Sequence, residues 1–220
     1  MLRNYFRLFL YLIVFIGVSS AKADSYAGFF QAIKRDDVMI VQQLLRLGLD
    51  PNTPTPEGDP ALYVAVREPS PRVVQLLMRW PQIRLDQRNT TDETPLMMAA
   101  LKGQTDVVRE LIDRGADVNK TGWTPLHYAA TGGHVPIIQM LLEAHAYIDA
   151  ESPNGTTPLM MAAYYGTAAA VRALIEAGAD PVVKNQLGLS AEDFAKRAER
   201  KDVVEMIATR VRQRNTRGAW

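Results

Sequence analysis

Three histidines and a series of recurring aspartates are the side chains of this sequence with the most versatile chemistry. His127, His134 and His145 have no cysteine to share a metal with, because the 220-residue chain contains none. None of them stands among carboxylates at the spacing of a metal site. The sequence also lacks a glycine-rich phosphate loop, an HExxH motif, a GxSxG turn and a paired-carboxylate pattern. These residues therefore predict no catalytic, metal or cofactor site, and a chain that is not an enzyme.

The aspartates recur together with the whole segments that contain them. The segment TPLMMAALKGQTDVVRELIDRGADVN begins at Thr94, and similar segments begin at Thr124 and Thr157, 30 and 33 residues further on. A fixed period in this range is typical of stacked repeats. Each copy has an acid near its end, Asp117, Asp149 or Asp180, which indicates a framework role rather than a unique active site.

Each copy predicts two helices separated by a tight turn. An apolar residue and two alanines stand at positions i, i+3 and i+4, as in Leu96, Ala99 and Ala100, which places them on one helical face. A second apolar stretch follows, as in residues 107–112, and a glycine such as Gly115 ends it. A single copy cannot bury a core of its own, so neighbouring copies must stack.

These segments resemble the ankyrin repeat. The resemblance covers nearly all of residues 25–208 and implies an all-α solenoid of helix-turn-helix units with short β-hairpin fingers between them. In this family, histidines in the places of His127 and His134 hold the loop to the helix start by hydrogen bonds, which favours structural roles here. Within a repeat domain of residues 24–208 we expect six repeats, the first and last being caps: 25–54, 55–88, 89–119, 120–149, 150–182 and 183–208.

Residues 1–23 have a different composition from the repeats. Arg3 and Arg7 precede an apolar run over residues 8–18, and Ala21-Lys22-Ala23 has the form of a signal peptidase site. A retained membrane anchor is the alternative to a cleaved signal peptide, although 11 apolar residues are short for a membrane span. The sequence favours cleavage.

We therefore expect cleavage between Ala23 and Asp24 and a periplasmic or secreted protein, of the exported type found in bacteria. The absence of cysteine excludes a lipoprotein anchor and leaves no thiol to react in an oxidising compartment. The remaining 197 residues carry 22 basic and 24 acidic side chains, a net charge of about −2. This balance is unlike the basic stripe of a nucleic-acid-binding protein.

Residues 209–220 predict a basic, flexible tail beyond the last repeat. The tail contains no acid and four arginines: Arg210, Arg212, Arg214 and Arg217. The simplest interpretation is a solvated end without a binding role. The alternative is weak attraction to anionic lipid headgroups or to an acidic protein, which salt would screen.

The regular spacing of the repeats is interrupted once. At four repeat boundaries, the last matching position of one repeat lies eight residues before the threonine position of the next. Between Asn119 and Thr124 the distance is only five residues. The finger that enters the fourth repeat should therefore be stunted. By resemblance, ankyrin proteins contact partners through finger tips and the exposed ends of first helices. In this chain those positions include Trp123, Tyr164, Tyr165, Leu101, Lys102, Arg67, Glu93 and Asp59.

Four of these positions flank the stunted finger and predict an apolar and aromatic patch: Leu101, Trp123 and the Tyr164-Tyr165 pair. Aromatic anchors carry much of the energy at protein interfaces. The alternative is that these side chains only cover the seams between repeats. We expect a monomeric, non-enzymatic interaction module that supports or regulates another exported protein. The alternatives are an immunity protein against an exported toxin, a membrane-tethered structural protein and an undetected hydrolase.

Overall fold

The computed structural model describes residues 25–217, with side chains as far as residue 214. The predicted signal segment and its cleavage site lie outside these residues. The chain divides into two compact units, residues 1–83 and 84–220. The described helices are α1 (25–34), α2 (Val38–Arg46), α3 (Ala61–Arg67), α4 (Pro71–Met78), α5 (Pro95–Leu101), α6 (Thr105–Asp113), α7 (Pro125–Gly132), α8 (Val135–Glu143), α9 (Pro158–Tyr164), α10 (Ala168–Glu176), α11 (Ala191–Arg197) and α12 (Lys201–Arg217).

The unit of residues 1–83 contains the helix pairs α1–α2 and α3–α4. α2 packs against α4, and α3 is buried from Ala61 to Val66. α4 begins at Pro71, a position where proline is tolerated because the first amides of a helix have no partner within the helix. Each pair is thus a first helix followed by a second helix, as the repeat pattern predicts.

The unit of residues 84–220 contains four helix pairs in two rows. The first helices α5, α7, α9 and α11 pack in one row, and the second helices α6, α8, α10 and α12 pack in the other. The alanine pairs of the first helices are fully buried, which confirms their predicted face: Ala99, Ala100, Ala129, Ala130, Ala162 and Ala163. A Cβ atom at Gly166 would lie 2.3 Å from the carbonyl oxygen of Ala130, so only glycine fits where α9 ends against α7.

Short first helices leave carbonyl groups that a neighbouring repeat must satisfy. α5 and α7 contain seven and eight residues, so their last carbonyls have no partner within the helix. His134 Nε2 lies 2.9 Å from the carbonyl oxygen of Leu101, and Thr167 Oγ1 donates to that of Gly133 at 3.2 Å. Each donor stands just before the second helix of the following repeat, so it ties two repeats together.

Arg200 occupies the same position in the last helix pair. Its Nη1 atom donates to the carbonyl oxygens of Ala162 and Ala163 at 2.9 and 3.1 Å, near the end of α9. By sequence, Arg200 belongs with Lys196 and Arg197 to the polar outer surface that a terminal repeat needs. The structure instead gives this guanidinium a specific bond across the repeat boundary.

The loops between repeats differ from the predicted β-hairpin fingers. The described residues contain no strand, and one isolated β-bridge joins Pro54 to Pro60. Four loops are each closed by one backbone hydrogen bond spanning five residues, as from the amide of Asn89 to the carbonyl of Glu93 at 3.0 Å. Prolines at the helix starts that follow, such as Pro95, have no amide with which strand pairing could continue.

The predicted flexible tail also differs from the structure, because α12 continues to Arg217. Arginine and glutamine favour helix, and two ion pairs hold the added turns. Arg212 Nη2 lies 2.7 Å from Glu205 Oε1, and Arg214 Nη1 lies 2.5 Å from Asp180 Oδ1. The last repeat therefore extends beyond residue 208, and two of the tail arginines face acids of this chain.

Replacing Arg200 by methionine should lower the free energy of unfolding by about 1–3 kcal/mol, because two carbonyls at the end of α9 lose a charged donor. Urea denaturation followed by circular dichroism measures the change. Arg197→Met is the control, since Arg197 is exposed and the loss there should be below about 0.5 kcal/mol. Equal losses in the two variants would contradict the proposed contribution of the Arg200 bonds.

Candidate functional site

A groove of about 320 Å³ lies beside the shortened loop, within the unit of residues 84–220. It is formed by three successive repeats, and we call it the aromatic groove. Its lining comprises Leu101, Trp123, His127, Tyr128, Thr131, Met161 and Tyr165. The structure thus brings together three of the four residues of the predicted patch.

The two adjacent tyrosines of the predicted patch have different surroundings. The ring of Tyr164 meets that of Phe194 in α11 edge-on at 6.2 Å, and 36% of the surface of Tyr164 is exposed. Tyr165 lines the aromatic groove, and 62% of its surface is exposed. The two rings lie 4.5 Å apart. Tyr165 is therefore the member of the pair that is available to a partner at the groove.

His127 forms the floor of the aromatic groove and is fully buried. Its Nδ1 atom accepts the amide of Thr124 at 3.1 Å, so Nε2 carries the proton and donates to the carbonyl of Thr156 at 2.9 Å. Burial lowers the pKa of His127 to about 4, since a buried imidazolium would lose its hydration. His127 is thus a neutral framework residue that joins its helix start to the following loop, as predicted.

The neighbouring repeats carry methionine in the place of His127. The sulfur atoms of Met97 and Met160 each accept the amide of the threonine three residues earlier, at 3.4 Å. A thioether is a weak acceptor and has no proton to donate. Of the third, fourth and fifth repeats, the fourth is therefore the one in which the side chain at this position also donates a hydrogen bond to the loop of the next repeat.

Tyr128 and Trp123 complete the wall above His127. The Trp123 ring meets the His127 ring edge-on at 5.2 Å. The hydroxyl of Tyr128 donates to Glu93 Oε1 at 2.8 Å, and burial together with this carboxylate raises the Tyr128 pKa above its usual range. Glu93 also accepts from Asn89 at 2.9 Å. Glu93, which the sequence assigned to the partner surface, is therefore engaged within the chain.

The shortened loop is held by a buried lysine. Lys120 is 2% exposed, and its ammonium contacts Asp92 of the preceding loop and donates to the carbonyl of Thr121 at 2.9 Å. A longer contact of 3.5 Å reaches the carbonyl of Trp123. The Lys120 ammonium holds the pKa of Asp92 below its usual value. A lysine side chain thus fastens the loop that carries Trp123.

Three further residues of the predicted surface lie outside the lining of the aromatic groove. Arg67 forms an ion pair with Asp59, and its guanidinium lies 5.7 Å from the ring centre of Tyr63, all within the unit of residues 1–83. Lys102 follows Leu101 at the end of α5, is exposed and forms no ion pair within the described part of the chain.

The sequence did not single out Tyr128, Thr131 and Met161 as part of this surface. The available signal was helical spacing. Met161 stands four residues before Tyr165, and Thr131 stands four residues after His127, so each pair shares a face. That spacing extends the predicted patch inward from its exposed rim.

The remaining chemistry-bearing residues have framework partners. Asp117 accepts the amide of Asn119 at 2.8 Å, and Asp149 accepts that of Asp180 at 3.1 Å. His145 takes the left-handed conformation expected for its position, with φ of 64°. No cluster of three or more histidines and carboxylates is arranged to hold a metal ion within residues 25–217. Over the same residues, no helix has the length and apolar character needed to cross a membrane.

Comparison with known proteins identifies the repeat. A family model described as ankyrin repeats in three copies matches residues 29–121, 62–153 and 118–185. The ankyrin repeat and SAM domain-containing protein 6 of Mus musculus is 39% identical over 116 residues, which cover 49% of this chain and 13% of that protein. The nuclear factor NF-kappa-B p105 subunit of Gallus gallus is 32% identical over 153 residues, 66% of this chain and 16% of that protein.

A third relative is the B-cell lymphoma 3 protein homolog of Mus musculus, 30% identical over 153 residues, which cover 66% of this chain and 34% of that protein. The chain thus spans between 13% and 34% of the length of these three relatives. All three are animal proteins, so they do not support the expected bacterial, exported type. What they share with this chain is the repeat.

Replacing His127 by methionine should flatten the pH dependence of stability. Between about pH 6.5 and about pH 4 the unfolded chain binds a proton that the folded chain excludes, so the free energy of unfolding falls as the pH falls. From about pH 7 to about pH 5, His127 should account for a loss of about 2 kcal/mol in the wild type. Urea denaturation at both pH values should show that the variant loses about 2 kcal/mol less unfolding free energy than the wild type. If the free energy of unfolding changed equally with pH in the wild type and the variant, His127 would not be a buried neutral imidazole.

Proposed function

The chain belongs to the ankyrin repeat family, and on that premise we propose that it is a non-enzymatic module that binds another exported protein through the aromatic groove and supports or regulates it. Ankyrin repeats mediate protein–protein interaction, and the shared framework residues do not distinguish one partner from another. The partner must therefore be recognised by residues that the framework leaves free to vary.

The observation that carries this proposal is the aromatic groove itself. Leu101, Trp123 and Tyr165 come from three repeats and converge on the point where three residues are missing from the regular loop. Tyr165 keeps 62% of its surface exposed although an aromatic side chain gains free energy when it is buried. A protein partner that covers Tyr165 would supply that burial.

Export rests on the sequence of residues 1–23. Two arginines, a short apolar run and a small-x-small site follow one another in the order of a secretory signal. A chain without cysteine forms no unwanted disulfide after export. These features favour a periplasmic or secreted protein whose partner is exported as well.

The groove should be tested with Trp123→Ala and Tyr165→Ala. Loss of an aromatic anchor typically costs an interface more than about 1 kcal/mol, or about fivefold in affinity. Crosslinking in periplasmic extract, followed by mass spectrometry, should show a partner that the wild type captures and both variants lose. Tyr147→Ala is the matched control, because Tyr147 is 69% exposed and lies outside the aromatic groove.

The melting temperature separates the two interpretations of these side chains. Unchanged melting with lost capture agrees with an interface. Lowered melting with intact capture would mean that Trp123 and Tyr165 only cover the seams between repeats.

Export predicts a defined mature N-terminus. Protein purified from the periplasm of a Gram-negative host should begin at Asp24 when its intact mass is measured. Ala23→Arg removes the small residue that signal peptidase requires, and this variant should accumulate uncleaved in the membrane fraction. A full-length wild-type protein in the cytoplasm would refute export.

A further inference from the structure

The three polar side chains that line the aromatic groove from α7 already have partners. His127 uses both ring nitrogens, Tyr128 donates to Glu93, and Thr131 Oγ1 donates to the carbonyl of His127 at 2.8 Å. An acceptor group entering beside them would give up its hydration without receiving a hydrogen bond from these side chains, because their protons are already donated within the chain. The floor of the groove therefore disfavours occupants that need a hydrogen-bond donor.

The rest of the lining is apolar and adaptable. Leu101 supplies a branched aliphatic wall, Met161 a flexible thioether, and Trp123 and Tyr165 supply aromatic rings. A methionine wall adapts to occupants of different shape. A volume of about 320 Å³ is at the lower end of the range for binding pockets, so it suits one large apolar side chain rather than a large ligand.

Charged side chains lie beside the aromatic groove as well. Glu93 is bound by Tyr128, and the buried Lys120 contacts Asp92. Lys102, one residue beyond the Leu101 wall, is exposed and forms no ion pair within residues 25–214. Glu93 keeps its negative charge, and Lys102 is the exposed cation next to the Leu101 wall. Complementary charge at the rim of an interface contributes specificity and faster association more than affinity.

From these three observations we propose that the aromatic groove binds an extended segment of a partner protein that inserts one large apolar side chain and places an aspartate or glutamate against Lys102. This inference rests on the proposed function, since it assumes that the groove is a protein-binding site. It adds the chemistry of the partner: an apolar anchor with an acid close to it in sequence.

Selection from a displayed library of random 12-residue peptides on the purified protein tests this chemistry without a known partner. The enriched peptides should share one leucine, methionine, phenylalanine or tryptophan with an acid within about three positions. Tyr165→Ala should weaken their binding about tenfold or more, and the control Tyr147→Ala should leave it unchanged. Lys102→Glu should weaken the same peptides by about fivefold and, used as the selection target, should enrich lysine or arginine beside the same apolar anchor.

The outcomes separate the two levels of the proposal. Enriched peptides that lose binding in Tyr165→Ala but lack an acid, or that bind Lys102→Glu equally well, overturn the partner chemistry and leave the groove as a binding site. Peptides that bind Tyr165→Ala and Trp123→Ala as well as the wild type overturn the groove as the site of the proposed function. A selection that enriches no common sequence overturns the partner chemistry too. Circular dichroism melts of all variants confirm that each target is folded.

Discussion

The unsatisfied carbonyls at the ends of the first helices are the constraint on which this fold depends. A helix of seven or eight residues leaves about half of its carbonyls without an internal partner, and a buried carbonyl without a partner is costly. At each repeat boundary described above, the residue just before the second helix of the next repeat donates a hydrogen bond to one of these carbonyls. The chain uses histidine, threonine and arginine for it, and in the unit of residues 1–83 Ser70 donates to the carbonyl of Ile33 at 2.6 Å. One geometric need is met by four different donors.

This dependence on the neighbouring repeat explains which residues are free to specialise. The buried alanines, Gly166 and the donors just described serve the contact between repeats, so their substitution affects folding first. The residues directly after the first helices, such as Lys102 after α5 and Tyr165 after α9, have exposed side chains. Such positions can carry an exposed tyrosine, or a lysine without an ion pair among residues 25–214, at little cost to the stack. Binding specificity can therefore change while the framework stays constant.

The sequence predicted the framework well because its signals are local and repeated. Helical spacing placed Ala99 and Ala100 on a buried face, and loop counting placed Trp123 at an interruption where a groove is found. Bonds between repeats were missed where they depend on side-chain reach. Nothing in the residue type of Arg200 distinguishes a solvated arginine from one that caps α9. The helical tail was missed for the same reason, since its ion pair to Asp180 spans 34 residues. The resemblance to the family places Arg67 and Asp59 at partner-binding positions, but it does not show that they pair with each other.

The buried Lys120 shows what the interrupted loop requires. The other loops are closed by a backbone hydrogen bond across five residues, and a loop shortened by three residues cannot form it in the same way. An ammonium contacting the exposed Asp92 and two carbonyls takes over this role, although burying a charged ammonium costs hydration. What the lysine provides is position. It fixes the backbone of Thr121 and Trp123, and so fixes the indole at the wall of the groove. A short loop held by a costly group beside an exposed aromatic groove is easier to explain by recognition than by stability.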